Sequence, residues 1–392
     1  MRHRKNHIDL TLLVCILALM AASLGLVYSA STPLPIQAAG KTSGLLAGHA
    51  VRVLVAFAAV FVFMSIDYHK YRSLTKRVLM VAVALLLVTL VLGGEVKGAA
   101  RWLRYGGFGV QPSEFAKYAL IFHLSVLISE KKELLRDFKR GFLSVMLWIG
   151  LVTVLVLLQP NFSTGAMIFG LSLLMLFLGR ARPAHVGLTM AALVPLLLGY
   201  MVSAPYRMRR IMSYLEGGSA GSLGGNYQVR QGIIGFGNGG IFGLGPGESR
   251  QRDFFLPESY TDFIFSIVGE EYGLIGTMLV MAAFFTIMVR GIRIARNAPD
   301  EYGRLLASGI TAAVTLYALV NAGVTLGLLP TTGLPMPFIS YGGSAMIFTG
   351  AAVGVLLNIS ASTDMYPRIV ETPEAVQPLE PVPTPAIGKL YS

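Results

Sequence analysis

Charged side chains are what this chain most lacks. Asp, Glu, Lys and Arg together make up 13% of its 392 residues, about half the ~25% of an ordinary soluble domain. Acids are the scarcer sign, 20 against 32 lysines and arginines. A chain so poor in charge and 54% hydrophobic is a polytopic membrane protein rather than a soluble one. Cysteine is almost missing too. The single Cys15 lies in the first apolar run, which excludes a disulfide framework and leaves the redox compartment unreadable. The net charge of +12 would ordinarily suggest nucleic acid. Here the basic residues punctuate apolar runs, so they report membrane topology, and no nucleic-acid partner is expected.

Long apolar runs are abundant. Ten read as membrane spans: 10–30, 46–66, 78–92, 115–129, 142–158, 165–179, 184–203, 262–289, 305–328 and 343–360. Several are near 15 residues and must tilt little or cross a thinned region. With the N-terminus in the cytoplasm, short dense inner segments carry 20 of the 32 lysines and arginines, and outer segments carry 12. The positive-inside rule therefore favours both termini in the cytoplasm. The first run is too long for the apolar core of a cleaved signal peptide, and losing it would spoil that parity. The expected fold is an all-α integral membrane protein of about ten transmembrane helices over 1–360. A large Gly-rich periplasmic loop would join spans seven and eight. Residues 361–392, with six prolines, read as a disordered cytoplasmic tail.

Ten of the 12 outer positive charges sit in two loops. One holds Lys97, Arg101, Arg104 and Lys117; the other holds Arg207, Arg209, Arg210, Arg230, Arg250 and Arg252. Charge placed against the topological bias suits an anionic ligand or, equally, anionic lipid. In the first loop, 93–117, basic heads flank Trp102 and Tyr105 as in an interfacial anchor. Glu114 and Lys117, three apart, can pair on one helix face. In the turn 159–164, Pro160 ends one helix and Asn161 or Ser163 can cap the next. The second loop, 204–261, opens with arginines among apolar residues, a pattern suited to a short interfacial helix. Thirteen glycines follow within 217–247. Gly235-Phe-Gly237-Asn-Gly239-Gly240 imitates a dinucleotide fingerprint, but no strand precedes it and no βαβ unit surrounds it. A flexible roof over a membrane cavity, with bare amides able to approach a phosphate, fits better. The last outer loop, 329–343, has three prolines and three glycines. Irregular backbone there must be buried in protein or line a cavity, to which Ser340 and Tyr341 would add hydroxyls.

The stretch 251–271, QRDFFLPESYTDFIFSIVGEE, holds five of the 20 acids: Asp253, Glu258, Asp262, Glu270 and Glu271. Asp262, Ser266 and Glu270 stand four apart and would share one face of a span beginning at Asp262. Ser259 or Thr261 would cap it. A charge in a spanning helix costs roughly 2.5–3.5 kcal/mol, so such acids tend to face an interior cavity and act there. The plainer reading has Asp262 as a cap and Glu270 and Glu271 paired with basic partners.

Four motifs follow one another along the chain: KGAARWL (97–103), QPSEFAK (111–117), LPESYTDFIFSIVGEEYGLIG (256–276) and PFISYGGSA (337–345). Together they resemble the SEDS family, the RodA, FtsW and SpoVE group of cell-wall polymerases, over about residues 8–360. The short segment 243–254 and the GEE at 269–271 lie closer to its division branch than to the elongation branch. The resemblance implies a peptidoglycan glycosyltransferase of ten spans. It would polymerise lipid II, the undecaprenyl-pyrophosphate-linked disaccharide peptide, at the outer face of the bacterial inner membrane, at the division septum. It places the family's essential aspartate on Asp262, its Arg-Trp pair on Arg101 and Trp102, and the Glu and Lys of QPSE-x-x-K on Glu114 and Lys117.

On that reading Asp262 is the general base, and Lys97, Arg101, Arg207 and Arg210 hold the pyrophosphate. Glu114 orients Lys117, and Trp102, Glu258, Ser340 and Tyr341 complete the substrate-binding set. Attack on an α-linked donor would invert the centre to a β-linkage. No metal-ligand set and no cofactor is expected, although a divalent cation can assist the leaving group. Expected partners are a class B penicillin-binding protein, other division proteins and membrane lipid. Many members carry Asp and Gly where this chain has Asn161 and Ser163, so direct chemistry at that turn is not expected. Two rivals use the same residues. One is a lipid II flippase, with Ser266, Glu270 and Glu271 lining a polar path; the other is a structural partner with an idle site. An ion-coupled transporter would need acids in paired broken helices, and no such pairing is expected here.

Overall fold

Each apolar run folds as helix, because in lipid a backbone must satisfy its own hydrogen bonds. The computed structural model describes residues 7–31, 39–96, 99–105, 108–202, 208, 212, 225–256 and 259–365. The helices are α1 (Leu10–Ser31), α2 (Ala39–Ser65), α3 (Thr75–Leu92), α4 (Pro112–Lys131), α5 (Leu143–Leu158) and α6 (Phe162–Leu178). They continue as α7 (Pro183–Val202), α8 (Gly225–Gly239), α9 (Arg250–Phe254), α10 (Ile264–Arg296), α11 (Glu301–Thr325) and α12 (Gly343–Ser360). All but α8 and α9 coincide with the ten apolar runs. Among the described residues, seven helical segments are long and apolar enough to cross a membrane. They fall in α1, α2, α3, α5 with its preceding turn, α10, α11 and α12. Helix α6 and the apolar part of α7 are shorter. The protein is therefore a multi-pass membrane protein. Helices α11 and α12 sit deepest, with 72% of their apolar windows buried.

Helix α12 packs along α2 through small residues. A Cβ on Gly354 would lie 2.5 Å from the Val60 carbonyl oxygen. Such contacts let two backbones approach where lipid supplies no hydrophobic drive between helices.

Three features depart from the all-helical expectation. The loop after α3 is a three-stranded antiparallel sheet: β1 (Gly94–Val96), β2 (Ala99–Tyr105) and β3 (Phe108–Val110), in that order. Gly94 stands opposite Trp102, and Tyr105 opposite Phe108. Part of the Gly-rich run is helix α8 rather than a flexible roof. Its glycines serve packing against α10: a Cβ on Gly239 would lie 2.0 Å from the Gly269 carbonyl oxygen, and one on Gly232 would lie 2.8 Å from Ser266 Oγ. In return, a Cβ on Gly269 of α10 would strike the Phe236 ring of α8 at 2.1 Å. Close packing thus overrides glycine's poor helix propensity.

The third departure is that α10 is broken, at Gly273 (φ 64°, ψ −159°), a conformation that glycine adopts cheaply. The turn 240–245 is inserted at the break. Leu274 and Ile275 donate their N–H groups to the carbonyls of Gly240 (2.9 Å) and Ile241 (3.2 Å). The freed carbonyls of Glu270 and Glu271 accept from Leu244 (2.9 Å) and Gly245 (3.0 Å). Four hydrogen bonds to the inserted turn thus satisfy backbone groups at the break, and irregular backbone is tolerated where protein surrounds it. No side chain caps α10 at Phe263, and Ser259 instead donates to the Ala30 carbonyl (3.1 Å).

The opposite helix ends are tied by charge. Asp9 accepts from the Leu12 N–H (3.0 Å) and from Arg290 Nε (2.7 Å). Asp300 caps α11 through the Gly303 N–H (2.6 Å) and accepts from the Tyr68 hydroxyl and from His69 Nε2, each at 2.7 Å.

Candidate active site

Four helix ends converge where the chain is least regular: the starts of α4 and α12, the end of α11, and the turn before α10. The connecting segment 326–342 has no repetitive structure, yet it is pinned. Leu328 and Leu329 donate to the Gly323 carbonyl (2.7 and 3.1 Å). Ser340 closes a small ring, its N–H bonding the Met336 carbonyl (3.1 Å) and its Oγ accepting from the Met336 N–H (2.8 Å). Phe338, buried, has φ 62°. Such a non-glycine residue costs about 1–3 kcal/mol and persists where its surroundings fix it, often at functional sites.

Asp262 is held against this segment. The Asn321 amide, on α11, donates to both the Asp262 carbonyl (2.9 Å) and the Leu334 carbonyl (2.8 Å). The Tyr341 N–H bonds the Tyr260 carbonyl (2.9 Å). The Asp262 carboxylate lies beside Gly333, where an added Cβ would be 3.5 Å from Oδ2. Asp262 is half-buried and stands in the turn ahead of α10, so it does not share a helix face with Ser266 and Glu270.

The same segment closes a cavity lined by Glu114, Lys117, Tyr317, Pro335, Met336, Phe338, Ser340 and Thr349, among others. Pro112 and Glu114 stand in the first turn of α4, positions that suit a missing N–H and a negative charge. One turn on, Lys117 Nζ meets Glu114 Oε2 at 2.7 Å, with both side chains only 3% exposed. Nζ also sits 3.8 Å from the centre of the Tyr317 ring. A buried pair persists only where good geometry and further partners replace water, and here the aromatic face supplies the second partner.

The remaining candidates are placed as follows. Arg101, on β2, donates through Nε to the Gln159 carbonyl (3.3 Å) and through Nη2 to the Pro160 carbonyl, tying the sheet to the α5–α6 turn. In that turn Asn161 makes no cap; its amide donates to Ser113 Oγ (3.4 Å). Trp102 lies over Gly109 and reaches Gly343 at the start of α12. The Gln111 N–H anchors the sheet to Ser344 Oγ (2.9 Å). Lys97, Arg207, Arg210 and Glu258 lie outside the described residues, as do most of 204–215 and all of 366–392. Among the described residues no three His, Cys, Asp or Glu gather as a metal-ligand set.

Glu270 and Glu271 are fully buried beneath α8 and α9. Glu270 accepts from Ser249 Oγ (2.5 Å), the Gln251 N–H (3.2 Å) and the Asn238 amide (3.3 Å). Glu271 accepts from Ser29 Oγ (2.5 Å) and lies 3.6 Å from Arg252 Nη1. Both are packed structural groups; Glu271 has the basic partner that the plainer reading expected, whereas Glu270 is met by hydroxyl, amide and backbone donors instead.

Three residues at the site have no motif to mark them: His49 and Arg52 on α2, and Asn321 on α11. The Arg52 guanidinium carbon sits 4.8 Å over the Tyr341 ring. The His49 and Tyr260 rings flank that tyrosine, each with its centre 5.5 Å away. The signal that would have found them is a polar side chain inside an apolar run.

Comparison with known proteins accords with this architecture. A chain from a complex described as "Structural coordination of polymerization and crosslinking by a peptidoglycan synthase complex" superposes with a TM-score of 0.73 at 24% identity, covering 90% of this chain and 97% of that one. The Thermus thermophilus rod shape determining protein RodA superposes with a TM-score of 0.67, also at 24% identity, covering 91% and 98%. Among curated relatives, a probable peptidoglycan glycosyltransferase FtsW of Geobacter metallireducens is 40% identical over 354 residues, 90% of this chain and 94% of that protein. The stage V sporulation protein E of Bacillus subtilis is 38% identical over 364 residues, 92% and 99% respectively. The family model for FtsW, RodA and SpoVE, described as "Cell cycle protein", matches residues 9–365, and the chain belongs to that family.

Proposed function

We propose that this protein is a peptidoglycan glycosyltransferase that polymerises lipid II at the outer face of the inner membrane, for septal wall synthesis. The observation that carries the reading is the seating of Asp262. An acid in a turn at helix ends, half-buried, its carbonyl held by the Asn321 side chain and the chain two residues before it held by the Tyr341 N–H, suits a working group better than a cap. Relatives bearing the FtsW name support the substrate class and the septal role.

The reaction joins an acceptor sugar hydroxyl to the anomeric carbon of a donor held on polyprenyl diphosphate. Asp262 accepts the hydroxyl proton as the oxygen attacks, and the bond to the diphosphate breaks with its electrons leaving on phosphate oxygen. Single in-line displacement on an α-linked donor gives a β-linkage. Basic groups near the leaving group stabilise the developing charge. Lys117, already buried and oriented by Glu114, is one such cation, and Lys97, Arg101, Arg207 and Arg210 are the others. The likeness in fold to a chain of a peptidoglycan synthase complex supports a crosslinking partner, a class B penicillin-binding protein.

The test is polymer formation from purified protein and lipid II in detergent, where no bilayer exists to flip across. Asp262→Asn keeps the shape and removes the base, and its rate should fall about 10²–10⁴-fold. A variant that polymerises at the wild-type rate overturns the base assignment. A wild-type protein that makes no glycan overturns the reaction.

A further inference from the structure

Most cations drawn into this bundle meet acids, and Arg101 meets the Gln159 and Pro160 carbonyls. Lys117 has Glu114 at 2.7 Å, Arg290 has Asp9 at 2.7 Å, and Arg252 has Glu271 at 3.6 Å. Arg52 is the exception. It stands in an apolar stretch of α2, its Nη1 is sealed from solvent, and that nitrogen makes no hydrogen bond. Among the described residues no acid pairs with it, and its one close partner is the face of Tyr341. A guanidinium stays charged in any protein, and an unmatched charge in a membrane-spanning helix is costly and marks function. Glycines lie along the fork. A Cβ at Gly48 would be 3.7 Å from Nη1, and one at Gly343 would be 3.7 Å from Nε. Neither position carries a side chain to cover the donors.

We propose that Arg52, braced on the Tyr341 ring, binds the diphosphate of the lipid-linked substrate; this rests on the glycosyltransferase reading above. The planar fork offers parallel N–H donors that match two phosphate oxygens, which a lysine cannot reproduce. Tyr341 is also the residue whose N–H holds Tyr260, two positions before Asp262. The bound diphosphate and the general base are thereby referenced to one stretch of backbone. The aromatic face keeps the guanidinium in place without consuming its donors, which a carboxylate partner would do.

The test is binding to the purified full-length chain in detergent, read as a ligand-induced rise in the thermal unfolding midpoint. The probes are a polyprenyl diphosphate, the polyprenyl alcohol of equal length, and phosphatidylglycerol. Wild-type protein should respond to the diphosphate and not to the alcohol. Arg52→Gln should weaken the diphosphate by about tenfold to a hundredfold, the range for losing hydrogen bonds to a charged group. Arg52→Lys, which keeps charge without the fork, should fall between. Without ligand, Arg52→Gln should unfold at the wild-type temperature or higher, because an unmatched charge has gone.

Diphosphate affinity within twofold of wild type in Arg52→Gln overturns the proposal. So does an unliganded destabilisation in both variants with no selective loss of diphosphate, which would make Arg52 a brace for Tyr341. An equal, Arg52-dependent response to phosphatidylglycerol overturns it in favour of a general lipid-headgroup site. Failure of the glycosyltransferase reading is seen separately, as wild-type protein that makes no glycan from lipid II.

Discussion

Removing one half of the Glu114–Lys117 pair should cost far more than removing both. Each side chain is 3% exposed and the charged atoms are 2.7 Å apart, so neither can turn to water when its partner is deleted. Breaking a buried pair from one side costs about 3–5 kcal/mol, whereas exchanging the whole pair for apolar groups of similar volume is often neutral. The structure also predicts an asymmetry. In Glu114→Gln the lysine keeps the Tyr317 face 3.8 Å away, and a desolvated cation–π contact is worth about 2 kcal/mol. In Lys117→Met the carboxylate keeps only the favourable N-terminal turn of α4, worth about 0.3–1 kcal/mol. Lys117→Met should therefore be the less stable single variant, and the double variant should recover most of the loss. Against a total stability of about 5–15 kcal/mol, such losses are large enough to resolve.

Thermal unfolding of the purified variants measures that cycle, and polymer yield from lipid II adds a second axis. If Lys117 only holds α4 together, stability and polymer formation return together in the double variant. If Lys117 also steadies the departing diphosphate, stability returns and polymer formation does not. Single variants that each lose less than about 1 kcal/mol would refute the dry, buried pair, since that is the range of exposed ion pairs. Full recovery of activity in the double variant would refute a role for Lys117 beyond structure.

The break in α10 and the charge cluster at the opposite helix ends give two further tests. Gly273→Ala should destabilise strongly, because its Cβ would fall 2.5 Å from the Gly243 nitrogen and its φ of 64° strains any side chain; a variant as stable as wild type would show that the break is not needed. Asp300 lies outside the spans. Burial pushes its carboxyl up, but hydrogen bonds from the Gly303 N–H, Tyr68 and His69 outweigh it and hold the group below its ordinary value of 3.8. A lowered carboxyl stabilises the folded chain fully above that value and ceases to do so as pH falls through the folded value. The stability gap between wild type and Asp300→Asn should be flat above about pH 5 and narrow below about pH 4; a gap that narrows on raising pH would reverse the sign.

What could be read in advance follows from which interactions are local. Apolar runs must be helical in lipid, so ten helices fall where the runs predict them. The Glu114–Lys117 contact spans three residues of one helix, and spacing alone brings the two together. The sheet is legible as well, because Tyr105-Gly-Gly-Phe108 carries the two-glycine signature of a hairpin, although the basic residues around Trp102 and Tyr105 equally suit an interfacial anchor. Helix α8 was not legible. Thirteen glycines in 31 residues argue for loop on propensity, and it takes the Gly269 carbonyl and Ser266 of α10, packed against Gly239 and Gly232, to explain why glycine is required there. The site fails in the same way. Reading Asp262, Ser266 and Glu270 onto one face presumes a helix continuous from Asp262. That helix starts two residues later, because the amide of Asn321 on α11 occupies the Asp262 carbonyl and joins it to Leu334. One distant side chain thus ties what would be the first turn of a span to the irregular segment 326–342. Asn321→Leu tests this step. Without the bridge, Asp262 should lose its fixed position, and polymer formation should fall although no group that touches substrate has been altered. Wild-type activity in Asn321→Leu would mean that Asp262 is held by something other than this bridge.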